Sequence, residues 1–448
     1  MHYVEEVDLR RTVEVLHEHL TEALCEDVYD QLRTTERRRS WTLSRLAEFW
    51  TAVIIRAPSS LTQALQEAAG GAAGWPEVPT STQAFFERCK GLDPSFFAGV
   101  YQLFVESVVG REPPGFLSEL AGLRERFGNV WCVDGSRLDA VVHRLKITRK
   151  DRTVLLPGAM TAFYDLFHGF ARQLYFHADA MEGEQGRVEE VLGNVPSGTL
   201  LIGDRLYCSM QYFRNLRSGG LFGLTRLKKN ITVRRSGPSD RRSHDDGTID
   251  DVLIDAGSGT EAERLRMITV RNPAGRARIQ LVTNVLDPAQ LSAEEVVALY
   301  GKRWAVERMF FDLKEVLNLH SFYAANTSAV AMQVFASAIV HVAMRVAQGH
   351  IAREHDIAAE EISPAKLFPR VAVASNILIT ALLVFAATQS ANPGVTLVEP
   401  NWHTLPGMTV RLATLLVQRR MGPRRKRKYC EARRRVRSMP GTRARRRP

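Results

Sequence analysis

The 448-residue sequence predicts an α/β fold: a mixed-sheet core with an inserted β segment, a mostly helical region before it, and helices with a basic tail after it. Three observations carry this. Val130-Trp131-Cys132-Val133 and Leu200-Leu201-Ile202-Gly203 are short continuous apolar runs, as expected of strands buried on both faces. Strand-like and helix-like segments alternate around them, which suits a layered α/β core. Near residue 300 the apolar period becomes helical, with Leu299, Val306, Met309, Phe310, Leu313 and Leu317 on one stripe.

The elements follow in order. Residues 1–112 read as a helical domain, with helical spacing in Val4–Leu32 and Leu43–Ile55. Arg37-Arg38-Arg39 precede Ser40 and Thr42, two candidate helix caps, and a helix start behind arginines can hold a DNA phosphate. A plain helical packing domain fits those residues equally well. Pro113-Pro114 marks a boundary. Residues 125–227 hold the first part of the core, with strands at Val130–Val133, Gly169–His177, Thr199–Ile202 and Leu221–Leu227 and a polar helix near Glu184–Leu192. Residues 228–290 are rich in Gly, Ser and Asp turns and read as an inserted β subdomain, with strands at Asp251–Ile254, Leu265–Val270 and Ala277–Val282. Residues 291–350 return to the core, 351–418 form a helical C-terminal region, and 419–448 a disordered basic tail. Ala329–Ala347 and Val371–Thr388 approach the length of a membrane span. The first contains His341 and Arg345 and the second Ser375, Asn376 and Thr380, so both are read as helices of a large core, with no membrane partner.

Composition narrows the function. The five cysteines are scattered without a C-x-x-C pair, which disfavours structural zinc and a disulfide framework and suits a reducing cytosol. The start, MHYVEEVDLRR, has no apolar secretory segment, so a cytoplasmic, nucleoid-associated protein is expected. The net charge of +11 is misleading. Residues 419–448 hold 15 Lys and Arg against one acid, Glu431, so the rest of the chain is slightly acidic. A basic arm of this kind adds salt-sensitive, sequence-independent affinity for nucleic acid.

The candidate site is built from carboxylates. Asp134 and Asp204 each follow one of the apolar runs, and ligands gather at the carboxyl ends of such strands. Glu307 lies on the helix near 300, where Tyr300, Arg303, Glu307 and Lys314 fall within roughly 60° of each other. Asn318 is expected on the same arc. Three converging carboxylates suit Mg²⁺ or Mn²⁺, which prefer hard oxygen ligands. Taken singly, Asp134-Gly135 is a common turn start, Asp204 a common helix cap, and Arg303–Glu307 an ordinary helical ion pair. Asp139 and Asp165 do not end apolar runs, and Asp312 faces away from the Glu307 arc.

The spacing Y-(2)-R-(3)-E-(6)-K across Tyr300–Lys314, with DGS at Asp134 and D-R-x-Y from Asp204 to Tyr207, resembles the insertion-sequence transposases with a DDE active site. The resemblance runs from about residue 125 to 350. It implies a ribonuclease-H-like catalytic core in which Asp134, Asp204 and Glu307 hold two Mg²⁺ ions, with Mn²⁺ able to substitute. It further implies a cut-and-paste transposase that cleaves DNA at terminal inverted repeats and transfers the strand into target DNA, as a homodimer or larger assembly on the ends. Tyr300, Arg303, Lys314, Arg205, Tyr207, Trp304, Lys228 and Lys229 become DNA-binding candidates, with Arg234, Arg235, Arg241 and Arg242 behind them. A family theme is a base-stacking Trp in the insert; this insert has none, so Trp304 and Phe311 beside Glu307 are the stacking candidates. Three other readings stay open: a nuclease with the same core that does not join ends, an inactive transposase-derived DNA-binding protein, and an RNA-binding protein using the arginine tail.

Overall fold

The computed structural model describes residues 6–417, except 34–36, 72–74, 77–80, 139–157, 180–182, 245–246, 325 and 392–406. Asp139 and the basic tail 419–448 lie outside the described residues. A short strand β1 (Glu6–Asp8) leads into six helices: α1 (Arg10–His19), α2 (Glu22–Leu32), α3 (Leu43–Arg56), α4 (Leu61–Ala69), α5 (Thr82–Gly91) and α6 (Pro94–Arg111). Thr21, Thr42, Ser60, Ser81 and Asp93 cap α2 to α6 in turn, each side chain accepting from a first-turn amide. Arg38 ahead of α3 pairs with Glu26 at 2.5 Å and Asp30 at 3.2 Å, so its charge is already engaged.

A one-turn helix α7 (Leu123–Arg126) opens the sheet region. The strands are β2 (Val130–Arg137), β3 (Ala159–Asp165), β4 (Phe170–His177), then β5 (Leu200–Ile202) and β6 (Phe222–Arg226), with α8 (Glu184–Val191) before β5 and α9 (Met210–Ser218) after it. Next come β7 (Val233–His244), β8 (Gly247–Ala256), β9 (Glu263–Arg271) and β10 (Ala277–Thr283). All nine form one sheet in the order β4-β3-β2-β5-β6-β10-β9-β8-β7. The β2–β3–β4 meander is antiparallel, β2, β5 and β6 run parallel, and β10 back to β7 is antiparallel again.

The segment 228–290 therefore extends the core sheet through β10–β6 pairing. Sequence periodicity missed β7, because nearly all of its residues are exposed and it has no apolar alternation to reveal it. Its arginines suit an edge strand, where charge discourages further pairing.

The second helical part holds α10 (Ala293–Lys302), α11 (Trp304–Phe311) and α12 (Thr327–Glu354), followed by α13 (Pro364–Ala391), β11 (Thr409–Arg411) and α14 (Leu412–Leu415). Strand β11 pairs with β1, fastening the two described ends of the chain together. The expected single helix across residues 299–317 is broken. It stops at Lys302, resumes at Trp304, and closes in a π turn over Asp312–Val316. Asn318 has φ 59°, a left-handed terminating residue, and so does not share the helical arc. The apolar stripe itself is buried throughout, from Leu299 to Leu317.

Helix α12 is long and apolar enough to cross a membrane, yet its most apolar window is wholly buried in the protein. It packs on α1, α3, α6 and β4. Its Arg345 stays satisfied by donating to the Gly169 carbonyl (2.7 Å), the Gln348 amide oxygen (2.8 Å) and the Tyr164 hydroxyl (3.2 Å). That network anchors the β3–β4 turn. Helix α13 departs from the expectation of full burial, since Val373 and Val384 are exposed. Near α1, Glu112 lies 2.5 Å from His350 Nε2 and 3.9 Å from His19 Nε2, a buried polar seam between α1, α12 and the end of α6.

Backbone meets backbone closely where Gly115 lies against α12. A Cβ at Gly115 would stand 2.6 Å from the Gly349 Cα, against backbone that cannot swing away. Gly115→Ala should therefore destabilise the protein by about 1–3 kcal/mol in urea unfolding. An unchanged midpoint would mean that α12 can shift freely there.

Candidate active site

Two strand ends define the site. Strands β2 and β5 are parallel neighbours with Cys132 opposite Ile202. Asp134 and Asp204 each lie two residues further on, so the pairing sets them at matching positions at the carboxyl ends of adjacent strands. Asp134 is half-buried and still within β2; Asp204 has left β5 and caps the 3₁₀ turn Arg205–Tyr207 by accepting from the Leu206 amide. Asp204 is thus both a cap and a strand-end acid, and the two readings are compatible. Serine 209, rather than Asp204, caps α9.

The third carboxylate comes from α11, which packs on β2 and β3. Arg303 Nη1 lies 2.7 Å from Glu307 Oε1 and 4.0 Å from Asp134 Oδ2, so one guanidinium links the helix acid to the strand acid. The ordinary i,i+4 pair exists, and it sits in the site. Arg303 Nε is buried with no hydrogen-bond partner among the described residues, a donor suited to a further oxygen. Lys314 Nζ donates to Ser136 Oγ at 2.8 Å and to the Arg137 carbonyl at 2.7 Å, tying the π turn to the end of β2.

Sequence reasoning missed one acid. Glu184, the first residue of α8, accepts from the Gly135 amide at 3.2 Å and from the Tyr207 hydroxyl at 2.5 Å, both on Oε1. A topological signal was available. Strand β4 runs parallel to β2, so a helix starting after it begins at the end of the sheet where Asp134 emerges. Burial, then the charges of Glu184 and Glu307, push the Asp134 carboxyl up to about 7, while the Gly135 amide and Arg303 hold it back. Glu184 and Glu307 bring negative charge to Asp134 against the buried Arg303, and Asp204 emerges at the end of the neighbouring strand. Carboxylate oxygen is the donor type that Mg²⁺ or Mn²⁺ takes, but among the described residues the oxygens of Asp134, Asp204 and Glu307 do not gather within 4.8 Å of one another.

The remaining candidates divide. Trp304 is 65% exposed and Phe311 48% exposed, and Arg303 and Arg308 stack over them at 4.9 and 5.2 Å. Arg205 and Lys229 are exposed, and Tyr300 is partly buried next to the charge of Asp204. Lys228 Nζ donates to the Leu206 carbonyl at 2.8 Å and so braces the Asp204 loop. Tyr207 is a correction: it is fully buried and its hydroxyl serves Glu184, which leaves no face for DNA. In the insert, Arg234, Arg241 and Arg242 pair with Asp255, Asp250 and Asp240. Asp165 is a second correction. It ends the buried strand β3, but opposite Trp131 at the far end of β2, where it holds His168 and Arg172.

Residues 133–343 match the family model described as a transposase DDE domain. The chain is similar to a protein of Sinorhizobium fredii carrying the transposase name y4zB, 30% identical over 159 residues, which are 34% of this chain and 44% of that one. It is also similar to the transposase named for insertion sequence element IS5377 of Geobacillus stearothermophilus, 27% identical over 186 residues, 41% of this chain and 48% of the relative. The matched stretch thus spans less than half the length of either relative. Among solved structures, the piggyBac transposase in a synaptic complex with hairpin DNA aligns over 88% of both chains at 9% identity and a TM-score of 0.42.

Asp312 lies buried beneath the site, and burial pushes its carboxyl up to about 6 against the pull of Arg308 and Arg345. The folded chain therefore holds this proton more tightly than the unfolded chain. Stability from this group is present at low pH and is lost as pH rises from about 4 through 6. Asp312→Asn should raise Tm by ~1–4 °C at pH 7.5 and by less at pH 4.5, read by scanning fluorimetry. A benefit that shrinks as pH rises would contradict this assignment of charge.

Proposed function

We propose that the chain is a DDE transposase that cuts DNA at the ends of an insertion element and joins those ends to target DNA. The observation that carries the reading is the set of two aspartates at matching strand ends with Glu307 joined to Asp134 through Arg303. The strand order β4-β3-β2-β5-β6, with β3 alone reversed, supports a ribonuclease-H-like core for that set.

The reaction is phosphoryl transfer without a covalent protein intermediate. Water first cleaves a phosphodiester and leaves a 3′-OH at the element end; that 3′-OH then attacks a target phosphodiester and displaces its 3′ oxygen. Asp134, Asp204 and Glu307 would hold two Mg²⁺ ions, which would supply charge stabilisation to the attacking and leaving oxygens of such displacements. The protein's own groups bind and orient. Arg303 holds Glu307 to Asp134 through its guanidinium, and Lys314 holds Ser136 and the β2 end so that Asp134 keeps its direction. Trp304, flat and exposed beside Arg303, offers a stacking face for a base at the cut. Arg205 and Lys229 border the Asp204 loop as phosphate contacts. Joining two ends at once calls for at least a dimer on DNA.

Glu307→Gln should bind element-end DNA as well as wild type in a gel shift while Mg²⁺-dependent nicking and strand transfer disappear. Cleavage at the wild-type rate by that variant would sink the reading. Cleavage by wild type without strand-transfer products would reduce the activity to that of a nuclease.

A further inference from the structure

Glu184 is half-buried, yet no role in the reading above uses it. It stands where α8 begins, and its single oxygen Oε1 spans two different strand ends. One partner is the amide of Gly135, the residue after Asp134; the other is the phenol of Tyr207, three residues after Asp204. The neighbouring Gln185 adds a bond to Ser209 Oγ at 3.3 Å, so two consecutive residues of α8 grip the loop that follows β5. Gly135 is shaped to this contact. A Cβ there would lie 2.7 Å from Glu184 Cγ and 2.9 Å from Cδ, so the carboxylate lies flat on the bare backbone. Tyr207 is fully buried, which fixes the other end of the bridge.

We propose that Glu184 is a positioning residue for the aspartate pair: through the Gly135 amide and the Tyr207 hydroxyl it sets the separation and orientation of the Asp134 and Asp204 strand ends. The proposal rests on the reading of those aspartates as the cation-holding acids. β-Pairing alone fixes Cα positions only as far as Ile202, since Asp204 lies beyond the last paired residue of β5. Beyond that point the Gly203 amide on the Leu224 carbonyl and Lys228 on the Leu206 carbonyl hold the loop to β6 and its end, and Glu184 is the tether that also reaches the Asp134 strand end. Supporting groups of this kind are worth about 10–100-fold in metal affinity or activity.

The test uses the full chain and four variants, Glu184→Ala, Glu184→Gln, Tyr207→Phe and Asp134→Asn. Two readouts are compared: Mn²⁺ affinity of the DNA-free protein by paramagnetic resonance titration, and nicking of an element-end duplex well below each variant's Tm. Glu184→Ala should weaken Mn²⁺ binding and slow nicking by about 10–100-fold while end-DNA binding is kept. Tyr207→Phe, which retains the ring and loses one donor, should fall between it and wild type. Glu184→Gln should recover most of the loss, because its amide oxygen still accepts both bonds. Wild-type Mn²⁺ affinity and nicking in Glu184→Ala and Tyr207→Phe would overturn the proposal, and so would Glu184→Gln as impaired as Glu184→Ala. If Glu184→Ala does not fold, Tyr207→Phe and Glu184→Gln decide by the same criteria. The controls keep the two claims apart. Wild type and Asp134→Asn behaving alike would instead remove the reading of the aspartates themselves.

Discussion

The parallel pairing of β2 with β5 is the constraint on which the site depends. Parallel strands share one direction, so residues equally far beyond a paired position emerge at the same end of the sheet. Cys132 opposite Ile202 therefore converts two acids 70 positions apart in sequence into neighbours at one edge. A slip of one residue would do more than shift them. It would turn every side chain of the slipped strand to the other face, so that the two acids would leave the sheet on opposite sides. The pairing register thus sets where the two acids emerge.

Electrostatics oppose that arrangement. Desolvation and the charges of Glu184 and Glu307 all disfavour an ionised Asp134, and the Gly135 amide and the Arg303 guanidinium act against them. Such strain suits a chain that gains a counter-charge on binding. The same arginine shows how the helix break contributes. Because α10 ends at Lys302 and α11 starts at Trp304, Arg303 stands at the junction, capping neither helix with its side chain. From there its guanidinium reaches Glu307 on one side and Asp134 on the other, while Trp304 is left facing solvent.

What the sequence disclosed follows physical lines. The short apolar runs of β2 and β5 were legible, and so were the acids that follow them, whereas the fully buried β3 was missed because Thr161, Tyr164 and Asp165 interrupt its apolar character. The apolar stripe Leu299 to Leu317 was equally plain, and it is buried as expected. A helical wheel assumes unbroken geometry, however, and it cannot see the stop at Lys302, the π turn at Asp312–Val316 or the left-handed Asn318. Strand β7 hid because a solvent-exposed edge needs no apolar period. Glu184 hid for a different reason. Its importance depends on where its helix starts in space, and one-dimensional periodicity carries no such coordinate. Tyr207 became a DNA-binding candidate through the D-R-x-Y resemblance, and a motif does not reveal that the 3₁₀ turn rolls its ring inward.

The extension of the sheet bears on how a nucleic acid would approach. Strands β10 to β7 continue outward from β6, so the segment 228–290 is an added wing of the same sheet. Its arginines mostly answer acids on the paired strands: Arg241 and Arg271 share Asp250, and Arg266 is locked to buried Asp251 at 2.5 Å. A surface whose positive charge is already matched exerts little long-range pull on phosphates. The exposed Arg205 and Lys229 stand instead beside the strand end that carries Asp204, and Trp304 lies beside Arg303. Exposed charge and stacking surface therefore lie beside the acids, while the charge of the wing is largely matched within the sheet. On the proposed reading, the rim of the site and not the wing would supply the grip on DNA.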